Sequence, residues 1–185
     1  MNVYDFDKTI YKNDSATDFY FHCLTMYPYL FIFWPYQLIM ALLWGLRIVS
    51  RGVFKQEFFR FLLLVPRIDD TVADFWLTHR QNIFFWYAMK HRDNDLVISA
   101  SPEFLLKPIC KELGISLLLA TRMDPRTGTI TGENCYGKEK PRRFRAAFPS
   151  APVNDFYSDS KSDQPMADLA RRSFLVQNGK IVDWK

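Results

Sequence analysis

Residues 1–11 read MNVYDFDKTIY, and the fold turns on residues 3–7 of that stretch. Val, Tyr and Phe favour extended backbone, and a strand sends alternate side chains to the same face. A strand over residues 2–7 therefore converges Asp5 and Asp7 at its carboxyl end, with Thr9 continuing the alternation. Two carboxylates so close repel each other, so the pattern asks what offsets that repulsion.

Working outward, residues 14–92 read as helical and unusually aromatic, with no convincing period-2 run. A strand pattern returns at 95–101 (DLVISAS). Ser101 then predicts an N-cap and Pro102 a first helical residue, for a helix that passes Pro108 and stops at Gly114. Strands are expected at 115–121, 153–157 and 173–177, with a helix over 164–172 and a turn at Asn178-Gly179. Gly128 and Gly132 in RTGTITGEN predict a hairpin or two-strand excursion. Strand, helix, strand in succession is the signature of an α/β fold with a mostly parallel sheet, here interrupted once.

The 185 residues are enough for one ordinary domain with an inserted subdomain, and 17% of them are aromatic. A formal net charge of +4 suits an anionic substrate or an anionic membrane surface, and no nucleic-acid-reading motif is present. Cys23, Cys110 and Cys135 have no CxxC spacing and cannot all pair, which predicts neither a disulfide framework nor a cysteine zinc site, and a reducing, cytoplasmic setting. His22, His79 and His91 fall at no metal-ligand spacing. With a strand expected from about residue 2, a signal peptide is not expected.

In an open parallel sheet the chemistry gathers at the carboxyl ends of the strands. Those ends collect Asp5 and Asp7, then Ser99, then Asp159 and Asp163 in NDFYSDSKSD. Carboxylates gathered in this way call for a divalent cation, and all-oxygen ligation suits Mg²⁺. A metal held by carboxylates, with a hydroxyl and a lysine from Lys138 or Lys140, is apparatus for phosphoryl transfer.

DFDKT, VISAS, YGKEK and SDSKSD, in that order, resemble the four motifs of the haloacid dehalogenase-like phosphohydrolases. The helical insert just after the first motif, together with TGTITGENCYGKEK, is similar to the phosphoserine-phosphatase-like branch. The resemblance implies a Rossmann-like core of residues 1–12 and 93–185 and an all-helical cap of residues 13–92. It implies Asp5 as the nucleophile that forms an aspartyl-phosphate and Asp7 as general acid, then base. Ser99, Thr9 and Lys140 would bind the phosphoryl group, Lys140 following Gly137 by the branch's spacer. Asp5, Asp7, Asp159 and Asp163 would form the Mg²⁺ site, with Asp7 contributing its backbone carbonyl and Asp163 orienting the shell. Ser158 stands where the branch usually has glycine.

No formally charged residue occurs between Asp18 and Arg47. A helix over 36–49 would reach only about 21 Å, against a hydrocarbon core of about 30 Å. The strands flanking the insert must share one sheet, so the chain crosses a bilayer twice or not at all, and VFKQEFFRFLLLV is too charged for a second crossing. Two readings remain: a soluble cap helix buried against its neighbours, or an interfacial helix pair with Arg47, Arg51, Lys55, Arg60 and Arg67 toward anionic headgroups on the inner face of the cytoplasmic membrane. The corresponding substrates are a small metabolite such as phosphoserine, or a lipid phosphate such as phosphatidylglycerophosphate. An inactive docking scaffold is the reading from another functional class.

Overall fold

The computed structural model describes residues 1–92 and 94–184; residues 93 and 185, which bound the second expected core segment, lie outside it. Its centre is a six-stranded sheet of β1 (Val3–Tyr4), β2 (Leu96–Pro102), β3 (Leu117–Thr121), β4 (Val153–Ser158), β5 (Ala170–Gln177) and β6 (Lys180–Asp183), in the order β3-β2-β1-β4-β5-β6. All neighbours are parallel except β5 and β6. The short β1 sits between β2 and β4, Val3 pairing with Leu96 on one side and Phe156 on the other. Its residues are apolar on both faces because both faces are covered. Tyr4 and Val97 face one hydrophobic cluster, while Val3, Leu96, Ile98 and Phe156 face another that contains Phe144 and Met166.

Five helices precede β2: α1 (Ser15–Met26), α2 (Trp34–Gly45), α3 (Arg51–Phe58), α4 (Ile68–His79) and α5 (Phe85–Lys90), with 3-10 turns at Pro28–Phe33, Phe59–Leu64 and Arg80–Asn82. Asp14 and Ser50 cap α1 and α3 by accepting from the N–H of Thr17 and Val53, which satisfies donors that a helix start leaves unpaired. This segment shares its core with the sheet. Trp76 of α4 packs edge-on against Phe6 and Tyr11, at centroid distances of 6.0 and 5.5 Å, and its Nε1 donates to Leu105 O at 2.7 Å. Three further helices follow: α6 (Glu103–Glu112), α7 (Glu139–Ala147) and α8 (Gln164–Ala167).

Several sequence expectations shift. β2 continues through Pro102, so Ser101 caps no helix, and Pro102 itself is the N-cap residue of α6. The stop at Gly114 holds: its φ of +74° is left-handed, and Ile115 N–H closes onto Cys110 O. The helix expected over 164–172 ends at Ala167, because Ala170 and Arg172 join the parallel ladder with Val153 and Asp155, where the Arg172 guanidinium grips the Asp155 carboxylate. Asn178 and Gly179, at φ +50° and +80°, form the expected turn, and it leads into β6, which the sequence reading lacked. The RTGTITGEN excursion is a loop closed by the single bridge Met123–Ile130.

Gly128 ties that loop to the helical segment. A Cβ there would stand 2.4 Å from Phe59 O, whereas at Gly132, also left-handed at φ +83°, it would meet nothing within 4 Å. Gly128→Ala and Gly132→Ala share a backbone strain of about 1–2 kcal/mol, and only the first adds overpacking of about 1–3 kcal/mol. Chemical denaturation should therefore find Gly128→Ala clearly the less stable; equal losses would mean the loop does not rest on Phe59.

Candidate active site

The carboxyl edge of β1 carries the first carboxylates. Asp5 N–H donates to Tyr157 O, extending the β1–β4 pairing by one bond. Beyond Asp7 the chain turns sharply at Lys8, φ +55°, and Phe6 O accepts from the N–H groups of Thr9, Ile10 and Tyr11. Asp7 is thereby held at the mouth of the loop. Its Oδ1 accepts from Ser15 N–H at 2.8 Å and its Oδ2 from the Ser101 hydroxyl at 2.5 Å. Burial pushes the Asp7 carboxyl up to about 6, helped by Asp14 and opposed by the Ser101 and Ser15 hydrogen bonds.

Lys140 enters from the first turn of α7, just past Gly137, whose φ of +56° sets the turn. Its ammonium lies 2.8 Å from Asp5 Oδ1 and 2.6 Å from Asp163 Oδ2, with the side chain only 2% exposed. Burial works against its charge, but Asp5 and Asp163 together hold its pKa above the usual lysine range. Burial also holds the Asp5 carboxyl above the usual carboxylate range, against the pull of Lys140. Lys138 is exposed. Of the two lysines weighed from sequence, only Lys140 reaches the carboxylates.

Ser158, where the related branch usually has glycine, adds a hydroxyl that donates to Asp163 Oδ2 at 2.8 Å. Asp163 Oδ1 is buried without a hydrogen-bond partner among the described residues. Asp159 is half-buried one residue beyond β4. Burial raises its carboxyl pKa, with Lys8 opposing and Asp163 reinforcing the rise. Ser99 is buried and its hydroxyl accepts from Ser101 N–H at 3.0 Å, and Thr9 is fully buried with an unpartnered hydroxyl. Asp5, Lys140 and Asp163 are thus in direct contact, while Asp7 belongs to a second group with Ser15 and Ser101.

The expected metal set takes two carboxylates, Asp5 and Asp159, and the backbone carbonyl of Asp7, with Asp163 orienting them. Among the described residues, no group of three or more His, Cys, Asp or Glu side chains stands close enough to hold a metal. Lys140 separates Asp5 from Asp163, and both oxygens of Asp7 are engaged by Ser15 and Ser101. The chemistry nonetheless fits a hard cation: the donors are all oxygen, and Asp163 Oδ1 is buried without a partner among the described residues.

Ser15 and Asn134 were absent from the sequence reading, while Ser101 was read only as a helix cap and Arg51 and Lys55 only as cations facing headgroups. Ser101 was accessible, since VISAS places two serines two apart on one strand face. The other four come from distant segments. Lys55, expected to face headgroups, instead turns inward, donating to Ala100 O and to Asn134 Oδ1. Arg60 and Arg67 are spent on Glu57 and Asp70, at 3.2 and 3.6 Å.

Removing Lys140 strands two buried carboxylates, so Lys140→Ala should cost about 3–5 kcal/mol of stability, whereas Lys138→Ala at an exposed position should stay within about 0.5 kcal/mol. Urea denaturation of the two variants checks this, and equal effects would contradict the bridge.

The model of the haloacid dehalogenase-like hydrolases matches residues 3–168. A probable phosphatase of Mycobacterium tuberculosis H37Rv is 38% identical over 88 residues, which is 44% of this chain and 31% of that protein. The chain spans less than half the length of the curated relatives it matches. Among solved structures, a Bordetella pertussis protein of unknown function superposes with a TM-score of 0.77 at 17% identity, over 94% of this chain and 87% of that one. A phosphoserine phosphohydrolase-like protein of Francisella tularensis gives 0.63 at 14% identity, over 94% and 86%. The structural likenesses speak for the fold, and the match across residues 3–168 makes this chain a member of the haloacid dehalogenase-like hydrolase family.

Proposed function

We propose that the protein is a phosphomonoesterase acting through an aspartyl-phosphate, with residues 13–92 as a helical cap over a core of residues 1–12 and 93–185. The observation that carries this is Asp5 held against Lys140 and Asp163, beside an Asp7 poised by two donors at the same sheet edge. Asp5 attacks phosphorus, an Asp5 oxygen–phosphorus bond forms and the ester oxygen departs. Asp7 gives that oxygen a proton, then takes one from the water that frees phosphate. A carboxyl raised to about 6 is suited to both tasks near neutral pH. Lys140 neutralises charge around the phosphoryl group, and Ser99 and Thr9 are its proposed hydroxyl contacts. Asp5, Asp159 and the Asp7 carbonyl would hold Mg²⁺, with Asp163 orienting them, and that ion would supply neutralisation of the phosphoryl oxygens. The mycobacterial relative named a probable phosphatase supports the reaction class.

A lipid phosphate is the favoured substrate class, for a reason visible on α2. The helical run Pro28–Gly45 is long and apolar enough, by length and composition, to cross a membrane, yet only 17% of it is buried. Within α2 only Gln37 and Met40 are buried, so one face of the helix packs against its neighbours and the rest is left uncovered. Leu38, Leu42 and Ile48 are 66%, 62% and 66% exposed, a patch that suits an interface. Arg47 and Arg51 flank it, and the enzyme would work on the inner face of the cytoplasmic membrane.

With Mg²⁺ and p-nitrophenyl phosphate, Asp5→Asn should abolish turnover while the far-UV circular dichroism stays that of wild type and the melting temperature falls, because Lys140 loses one of its two carboxylates. Asp7→Asn should lose about 10²–10⁴-fold. Activity of Asp5→Asn within a few-fold of wild type sinks the covalent route. Flotation with anionic liposomes tests the interface: wild type should float and added salt should weaken its binding, while replacing Leu38, Leu42 and Ile48 by Ser should release it. Failure of the wild type to bind any vesicle would redirect the substrate to a soluble metabolite.

A further inference from the structure

The strand that bears Ser99 leaves its regular ladder beside the Asp7 edge. Ile98 pairs with Leu119 and Pro102 with Thr121, so Ser99, Ala100 and Ser101 together stand opposite Ala120 of β3. Extra residues of this kind bend a strand and re-aim its side chains. The bulge is pinned through Ala100, whose carbonyl accepts from the Thr121 hydroxyl at 2.7 Å and from Lys55 Nζ.

Ser101 is thereby aimed across the edge. Its backbone N–H donates to Ser99 Oγ at 3.0 Å, so Ser99 accepts there and keeps its own hydroxyl hydrogen for an incoming oxygen. Its hydroxyl donates to Asp7 Oδ2 at 2.5 Å and accepts from the Ser15 hydroxyl at 3.2 Å. A serine has one hydroxyl hydrogen, so the direction of the chain is fixed, from Ser15 to Ser101 to Asp7. Ser15 also donates its backbone N–H to Asp7 Oδ1 at 2.8 Å. One donor on each oxygen fixes the plane of the carboxyl, and because each oxygen has a second lone pair, a place stays open for the proton that Asp7 transfers. Both serines are buried, yet Asp7 and Ser101 also line a cavity of about 360 Å³ bordered by Trp44 and Phe54, so the fixed carboxyl meets open space.

We propose that Ser101 is a positioning residue for the general acid, its hydroxyl setting the Asp7 carboxyl to protonate the leaving oxygen, with Ser15 setting Ser101 in turn. The inference rests on the phosphatase reading above and deepens it. A hydroxyl that only satisfied itself would bond a nearby backbone carbonyl, as Thr25 and Thr78 do with His22 O and Phe75 O. The Ser101 hydroxyl instead crosses from β2 to a carboxylate in the loop after β1.

The test is the dependence of kcat/KM on leaving-group acidity, measured with Mg²⁺ on phenyl, p-nitrophenyl and 2,4-dinitrophenyl phosphate. Phenolate is the most basic of the three leaving groups and needs the proton most. General acid help is worth about 10²–10⁴-fold, of which Ser101→Ala should lose about 10–10²-fold on phenyl phosphate and less than about threefold on the dinitrophenyl ester. Ser15→Ala, which keeps the backbone N–H, should show the same trend more weakly. Ser101→Thr, which keeps a hydroxyl, should restore most of the phenyl phosphate rate. The N–H that holds Ser99 survives in Ser101→Ala, so inhibition by inorganic phosphate should match wild type. Each comparison is a ratio within one variant, which a smaller folded fraction does not change, whereas a packing defect lowers all three esters in proportion. Proportional losses or no loss in Ser101→Ala overturn the role, as do a threonine variant as impaired as the alanine one and a weakened inhibition by phosphate. If wild type hydrolyses none of the three esters, the phosphatase reading falls and this role with it; if it hydrolyses them and Ser101→Ala keeps the wild-type dependence, only the role of Ser101 falls.

Discussion

One buried ammonium between two carboxylates constrains most of this structure. Lys140 must reach Asp5 at the end of β1 and Asp163 beyond the end of β4 at once, which fixes the first turn of α7 against two strand ends. Each of these three groups costs much to bury alone and little as a set, so the elements carrying them move together or not at all. The sheet order makes the set available: β1 lies between β2 and β4, so Asp5, just past the end of β1, and Ser158, at the end of β4, come out at the same edge of the sheet. Ser158 strengthens the arrangement, because its hydroxyl takes up part of the charge on Asp163 that glycine would leave to Lys140 alone.

The chain enters and leaves the helical segment through one neck, while Trp76, Lys55 and Phe59 pack or bond that segment to the rest of the core as well. The chain leaves β1 and returns toward β2 through adjacent strands of backbone: Lys12 N–H donates to Asn82 O, Phe84 N–H donates to Ile10 O, and Tyr11 bridges Ile83. Some seventy intervening residues therefore enter and leave through a two-stranded neck, whose Tyr11 hydroxyl also reaches Asp18 at 2.5 Å. The neck adjoins the loop that carries Asp7, so a rotation of the helices about it would be felt first at the general acid–base candidate. The aromatic contacts of Trp76 with Phe6 and Tyr11 resist such a rotation by packing, not by hydrogen bonds alone.

What sequence could disclose follows from the range of each interaction. Asp5 and Asp7 were legible because strand alternation is local, and Asp163 because its spacing from Asp159 is local too. Lys140 was narrowed to a pair by Gly137, and the burial that separates it from Lys138 is a tertiary fact. The mostly parallel sheet was legible from the strand and helix succession, but β6 was not, since four residues after a turn carry little pattern. The partners of Asp7 divide the same way: Ser101 lies in a strand that was read correctly but was given a capping role, and Ser15 acts through its backbone N–H, which no side-chain pattern reveals. Lys55 was misassigned for an instructive reason. Periodicity tells which residues share a face of α3, but only packing tells which face turns to Ala100 and Asn134.

That inward turn changes how the apolar surface of the insert is to be understood. If all five basic residues faced outward, attraction to anionic lipid would suffice to account for the exposed leucines. With Lys55 inside, Arg51 stacked on Tyr136, and Arg60 and Arg67 paired with Glu57 and Asp70, the unpaired basic charge of this set is reduced to Arg47, and the apolar contribution of α2 has to dominate any contact with a bilayer. Because the neck brings both ends of the insert back to one sheet, such a contact places α2 along the surface instead of across it. Trp44 then stands at the boundary, stacked on Phe54 at 4.9 Å on the cavity side and exposed on the other. The same aromatic pair would then form both part of that contact and one wall of the cavity beside Asp7.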